Sequence, residues 1–176
     1  EMAEAHPHDF VLQQNWYVFL VQVLKNTVQS KDVYRGMIKL VEIGHYNPYT
    51  DATALKDLAE LLFEDAQYQR ALLWVDLLLK DYPRPAFFLL KGICHAKLEE
   101  WPSAKWAFHE AKKRSPNDIG ILYWYSKALI YLGEKRKGCT ILHQGLQAEI
   151  GDQNVFSLCQ NLLDQHCQGT QLEDPS

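Results

Sequence analysis

Residues 85–118 read PAFFLLKGICHAKLEEWPSAKWAFHEAKKRSPND. The informative feature is the position of the small residues. Gly92 and Ala104 lie 12 apart, Ala111 follows seven later, the large apolar Phe108 sits between the last two, and Pro116 closes the stretch. The same spacing extends in both directions. Ala59, Gly92 and Ser126 are separated by 33 and 34 residues, and so are Ala71, Ala104 and Gly138. Leu78, Ala111 and Gly145 follow the second series, Val75, Phe108 and Leu142 supply the large residue, and Pro83 precedes Pro116 by 33. Self-similarity at this period is the signature of a repeat array. Where two helices cross, a large side chain would hold the axes apart, whereas small ones allow approach to the short end of roughly 8–10 Å. A proline ends the second helix because it lacks an N–H and restricts the residue before it.

The rest of the chain fits an all-helical array of about seven helices. Phe10 to Lys25 reads as an aromatic-rich helix, and Ser30 or Asp32 can cap a second that runs to Ile43 or Gly44 before Tyr46-Asn47-Pro48-Tyr49 breaks it. Gly36 and Pro48 repeat the 12-residue spacing, so residues 1–50 read as a helix pair and a degenerate repeat, and 51–152 as three repeats. In 153–176, Val155, Phe156, Leu158, Cys159, Leu162 and Leu163 make a one-faced helix that can cover the last open face, followed by a frayed tail from Gly169.

These positions resemble the tetratricopeptide repeat family, whose 34-residue unit is a pair of antiparallel helices. The resemblance covers Ala52 to Asp152, with Leu78 and Ile150 departing from the small residue and the proline of the pattern. It implies an α-α superhelix whose first helices line a concave groove. Its lining positions fall on Thr53, Lys56, Glu60, Phe63 and Glu64, then on Ala86, Leu89, Ile93, Ala96 and Lys97, then on Gly120, Tyr123, Lys127, Ile130 and Tyr131. Relatives that hold acidic tails of heat-shock chaperones use Lys, Asn and Arg there. This chain has Lys56 and Lys127, but Glu60 replaces the Asn, so the resemblance implies apolar anchoring with lysines fixing polarity. Tyr123 and Tyr131 lie eight residues apart on one face, and tyrosine suits interfaces. The implied function is a non-enzymatic scaffold for a partner peptide or helix. The size and layout are also similar to type III secretion translocator chaperones, which implies a client kept soluble; a self-associating subunit, dimerised through the N-terminal helices, is a further reading.

Composition sets limits on the remaining classes. The 176 residues carry 18 Lys and Arg against 22 Asp and Glu, a net charge of −4 that makes no case for nucleic acid. No apolar run approaches the ~20 residues of a membrane span. No phosphate-cradling loop and no catalytic motif is present, so neither cofactor nor enzyme activity is expected. His6 and His8 read as tail residues, and His95 as a residue packed between helices. Cys159, His166 and Cys167 lack a fourth ligand for zinc, so no metal is expected. Cys94, Cys139, Cys159 and Cys167 form no CxxC pair and read as free thiols of a reducing, cytoplasmic compartment. The chain opens at Glu1 rather than Met, which leaves an upstream signal or anchor open.

Overall fold

The computed structural model describes residues 52–147 and 153–169. The helix pair expected in 1–50 lies outside the described residues. The chain divides into two compact units after Gln67. The described part of the first is α1 (Ala52–Glu64), which buries Leu55, Ala59 and Leu62, the i, i+4, i+7 positions of one face.

The second unit contains α2 (Tyr68–Asp81), α3 (Pro85–Lys97), α4 (Trp101–Arg114), α5 (Ile119–Tyr131), α6 (Lys135–Gln147) and α7 (Gln153–His166). All seven described helices and the absence of strands among the described residues agree with the all-α expectation. Local chemistry fixes the helix ends. Pro85 and Pro102 stand in the first turns of α3 and α4, where a missing N–H removes no helical hydrogen bond. Asp118 caps α5 by accepting the Ile121 N–H at 3.1 Å. Lys112, Lys113 and Arg114 occupy the last turn of α4, where cations complement the dipole. The tight turns adopt a left-handed conformation at the same repeat position three times, at Ala66 (φ 59°), Glu99 (φ 61°) and Gly133 (φ 83°). Only the third is the residue that tolerates it freely.

Neighbouring helices pack in chain order: α2 on α3, α3 on α4, α4 on α5, α5 on α6, and α7 against both α5 and α6. The repeated positions are the core. Ala71, Ala104, Val75, Phe108, Leu78, Ala111 and Leu142 are all buried, as are Gly92, Ser126, Gly138 and Gly145. A Cβ on Gly92 would sit 2.3 Å from Cε1 of Phe108, and one on Gly138 would sit 2.8 Å from the Ser126 carbonyl oxygen. The glycines therefore set how closely α3 approaches α4 and how closely α5 approaches α6.

Ser126 is fully buried, and its Oγ has no hydrogen-bond partner. A buried hydroxyl without a partner costs about 1–3 kcal/mol of desolvation. Ser126→Ala keeps the side chain small at this crossing, and is expected to raise stability by about 1 kcal/mol in urea unfolding. A loss of stability would mean that the hydroxyl has a partner.

One expectation is corrected. Cys139, in the first turns of α6, forms a disulfide with Cys167, just beyond α7, with Cα atoms 5.7 Å apart. Cys94 and Cys159 are the free cysteines among the four, and both are buried. The spacing of 28 residues carries no trace of the pairing, because the contact depends on how α7 folds back on α6. The disulfide also removes the basis for expecting a reducing compartment. Among the described residues no helix is long and apolar enough to cross a membrane, and no group of three His, Cys, Asp or Glu is placed to hold a metal.

Candidate functional site

The face shared by α3 and α5 carries an unusual combination of aromatic rings and lysines. Trp124, Lys127 and Tyr131 follow one another at i, i+3 and i+7 along α5, so they form one stripe. The Lys127 ammonium lies 5.0 Å from the Trp124 ring centroid and 5.7 Å from that of Tyr123. These distances are within cation–π range. Lys127 is half-buried, and no carboxylate pairs with it among the described residues. Burial lowers its pKa, and the positive charge of Lys97, at the end of α3, lowers it further. Two cations thus share this face without a compensating anion.

Apolar surface surrounds the lysines. Tyr131 is 58% exposed and stacks on Trp101, with centroids 4.1 Å apart and planes 13° from parallel. Trp124 stacks on the buried Phe108 at 5.9 Å and meets Tyr123 edge-on at 5.5 Å. The rings are therefore held from beneath by the core, which limits the entropy lost when a ligand covers them. Beside Trp101, His95 Nδ1 lies 2.6 Å from Glu100 Oε2, which ties the α3–α4 turn. His95 is half-buried and hydrogen-bonded, not packed as a purely apolar core residue.

No family model matches the sequence, and no curated protein matches it. Solved structures do match its fold. The MamA fragment running from residue 41 to the end, from Desulfovibrio magneticus RS-1, superposes with a TM-score of 0.67 at 16% identity, covering 88% of this chain and 88% of that one. The TPR2AB domain of yeast Sti1, in complex with pHSP90, gives 0.61 at 13% identity over 95% of this chain and 74% of its own. YrrB, a TPR protein with an unusual peptide-binding site, gives 0.55 at 19% identity over 78% and 71%. This is the tetratricopeptide repeat fold.

Within that fold the expected lining residues have different surroundings. Lys56 and Glu60 pair with each other across one turn of α1, Nζ to Oε1 2.9 Å, and Phe63 on the same helix is half-buried. Leu89 and Ile93 are half-buried and pack on the core cluster built around Phe108, Leu122 and Tyr125. Ala96 is buried in that cluster, while Lys97 is exposed. Tyr123 and Ile130 pack on a second cluster that includes Cys159, Leu162 and Leu163 of α7. The terminal helix therefore lies against this end of the tetratricopeptide face. Burial raises the Tyr123 pKa, with smaller contributions from Cys159 and Tyr131.

Trp101 and Trp124 are absent from the lining expected of the sequence. Trp101 falls in a second helix, outside the family's lining positions. Trp124 could have been found, since it shares its stripe with Lys127 and Tyr131.

Proposed function

We propose that this chain is a non-enzymatic binding scaffold and that it holds a segment of a partner polypeptide on the face of α3 and α5. The observation that carries the reading is Lys127, half-buried between the rings of Tyr123 and Trp124 and repelled by Lys97, with no carboxylate partner among the described residues. A partly desolvated cation without an anion gains from a ligand that supplies one. The adjacent Trp101–Tyr131 stack offers a rigid apolar seat. The partner segment therefore has an acidic group for Lys127 and Lys97 and a large apolar side chain for the stack. The fold supports this reading, because stacked helix pairs present an extended inner face suited to peptides. Leu89 and Ile93 contribute the apolar floor, and Tyr123 and Ile130 the end nearest α7.

The test is partner capture by the full chain, with the captured protein identified by mass spectrometry and its affinity then measured by calorimetry. Lys127→Glu and Tyr131→Ala are each expected to weaken that affinity at least roughly tenfold, as truncating a desolvated charge partner or an aromatic anchor does. Both variants should keep the wild-type circular dichroism spectrum. If folded variants bind the partner as tightly as the wild type, this face is not the site.

A further inference from the structure

α7 borders the α5 face and is held there by few side chains. Tyr123, Lys127 and Ile130 follow one another at i, i+4 and i+7 along α5, so they form one stripe. Tyr123 and Ile130, on either side of Lys127, pack on the cluster that contains Cys159, Leu162 and Leu163 of α7. Those three are the buried residues of α7, whereas α5 buries seven, from Ile119 to Leu129. Phe156 and Leu158, expected on the inner face, are 38% and 47% exposed. Ser157 donates to the Gln153 carbonyl and Gln160 to Asp164, so these outer side chains bond within the helix. Few buried apolar contacts place a helix at the low end of local stability. The Cys139–Cys167 disulfide is what fastens it to α6.

The two bonded sulfurs are unequally placed. Cys139 lies within α6 and is 0% exposed, while Cys167 lies just beyond α7 and keeps 8% of its surface open. Gln168 and Gly169, which follow it, are exposed. A Cβ on Gly169 would meet nothing within 4 Å among the described residues, so the chain beside Cys167 is open to approach. Access decides which sulfur of a disulfide is attacked, and here it selects Cys167. The third sulfur of the cluster, Cys159, is a buried free thiol that burial keeps protonated, so it does not compete.

We propose that the Cys139–Cys167 disulfide is a redox switch on the α5 face: reduction by a dithiol releases α7 and uncovers Tyr123 and Ile130 on either side of Lys127. A thiolate of the dithiol attacks Sγ of Cys167, the bond between the two cysteines breaks, and Cys139 leaves as a thiolate. The second donor thiolate then attacks the donor sulfur of the mixed disulfide, and Cys167 leaves in turn. The donor is oxidised to a disulfide, the two cysteines gain its two electrons, and the two protons lost by the donor thiols end on Cys139 and Cys167. On the loop-entropy view, a cross-link over a span of 28 residues favours the docked helix by roughly a hundredfold or more. Without it, one stripe of three buried side chains holds α7. The regulatory meaning of the switch rests on reading the α3–α5 face as the partner site; the release of α7 does not.

The experiment compares the full chain as the disulfide form, after reduction by excess dithiothreitol, and after reoxidation. The amides of α7 are expected to exchange at least roughly tenfold faster in the reduced chain, with α3 and α4 unchanged and protection restored on reoxidation. Fluorescence of anilinonaphthalene sulfonate, an anionic aromatic probe suited to Lys127 and its rings, should rise severalfold at the same time. Cys139→Ala/Cys167→Ala should behave as the reduced chain with or without reductant. Each of four outcomes overturns the proposal: a bond that dithiothreitol leaves intact in the folded chain, α7 exchange unmoved by reduction, a probe signal unmoved by it, or loss of protection in α3 and α4 as well, which would mean global unfolding. Lys127→Glu separates the switch from the partner reading. A smaller rise of the probe signal in that variant supports both, whereas an equal rise with α7 released keeps the switch and refutes the partner face.

Discussion

Phe108→Ala is expected to lower the stability of the second unit by about 3–5 kcal/mol, the range for emptying a fully buried aromatic site. The ring is 0% exposed, lies directly over Gly92 of α3 and stacks beneath Trp124 of α5, so it joins three helices. The converse change has a related effect. Gly92→Ala places a methyl 2.3 Å from the ring edge, and is expected to cost about 1–3 kcal/mol through displaced packing. Because both changes act on one contact, they should not add. In a Phe108→Leu background the smaller side chain makes room, and Gly92→Ala should become nearly neutral, giving a coupling energy of about 1–2 kcal/mol. Urea unfolding of the four proteins in the cycle measures this directly. Additive losses would mean that the crossing of α3 and α4 is not set by this pair. The loss should also reach the binding face, since Trp124 would lose the ring beneath it.

This contact was legible in the sequence because it is imposed by geometry that recurs in every unit. A helix pair that crosses closely needs a small residue on one helix opposite a large one on the other, and 33 or 34 residues later the next pair needs the same. Gly92 and Phe108 satisfy that rule, and both are buried as the period requires. What the period could not supply is any contact made once. The Trp101–Tyr131 stack joins the first turn of α4 to the last turn of α5; Tyr68 precedes Trp101 by 33 residues, but Lys97 stands at the position of Tyr131 in the unit before, so the pair occurs once. The placement of Lys112 over the Tyr125 ring depends likewise on how α4 lies against α5. For the same reason the sequence lists Leu89, Ile93, Tyr123 and Ile130 as equals. The core under the first two and α7 against the last two distinguish them.

The Cys139–Cys167 disulfide leads to the second large effect. It closes a loop of 28 residues that contains most of α6 and all of α7. On the loop-entropy view, closing such a loop in the unfolded chain is worth about 3.5 kcal/mol. Cys139→Ala/Cys167→Ala should therefore lower the melting temperature by roughly 10–20 °C for a unit of this size. The loss should be local before it is global. Among the described helices α7 packs mainly on α5 and α6, so its amides should lose hydrogen-exchange protection while those of α3 and α4 keep theirs. The remaining thiol in that cluster does not threaten the bond. Burial pushes the Cys159 thiol up to about 11, so it is protonated and a poor nucleophile at neutral pH, and disulfide exchange through it should become fast only as the pH approaches that value. An unchanged melting temperature in excess reductant, with all four cysteines alkylated in the native protein, would disprove the latch. Where the latch holds, its removal has a functional consequence. Tyr123 and Ile130 pack on the cluster that α7 completes, so a loosened α7 uncovers the end of the α5 face. The double alanine variant should then offer a partner segment a longer apolar surface beside Lys127, and the balance between tighter binding and self-association can be followed by calorimetry and light scattering on the same samples.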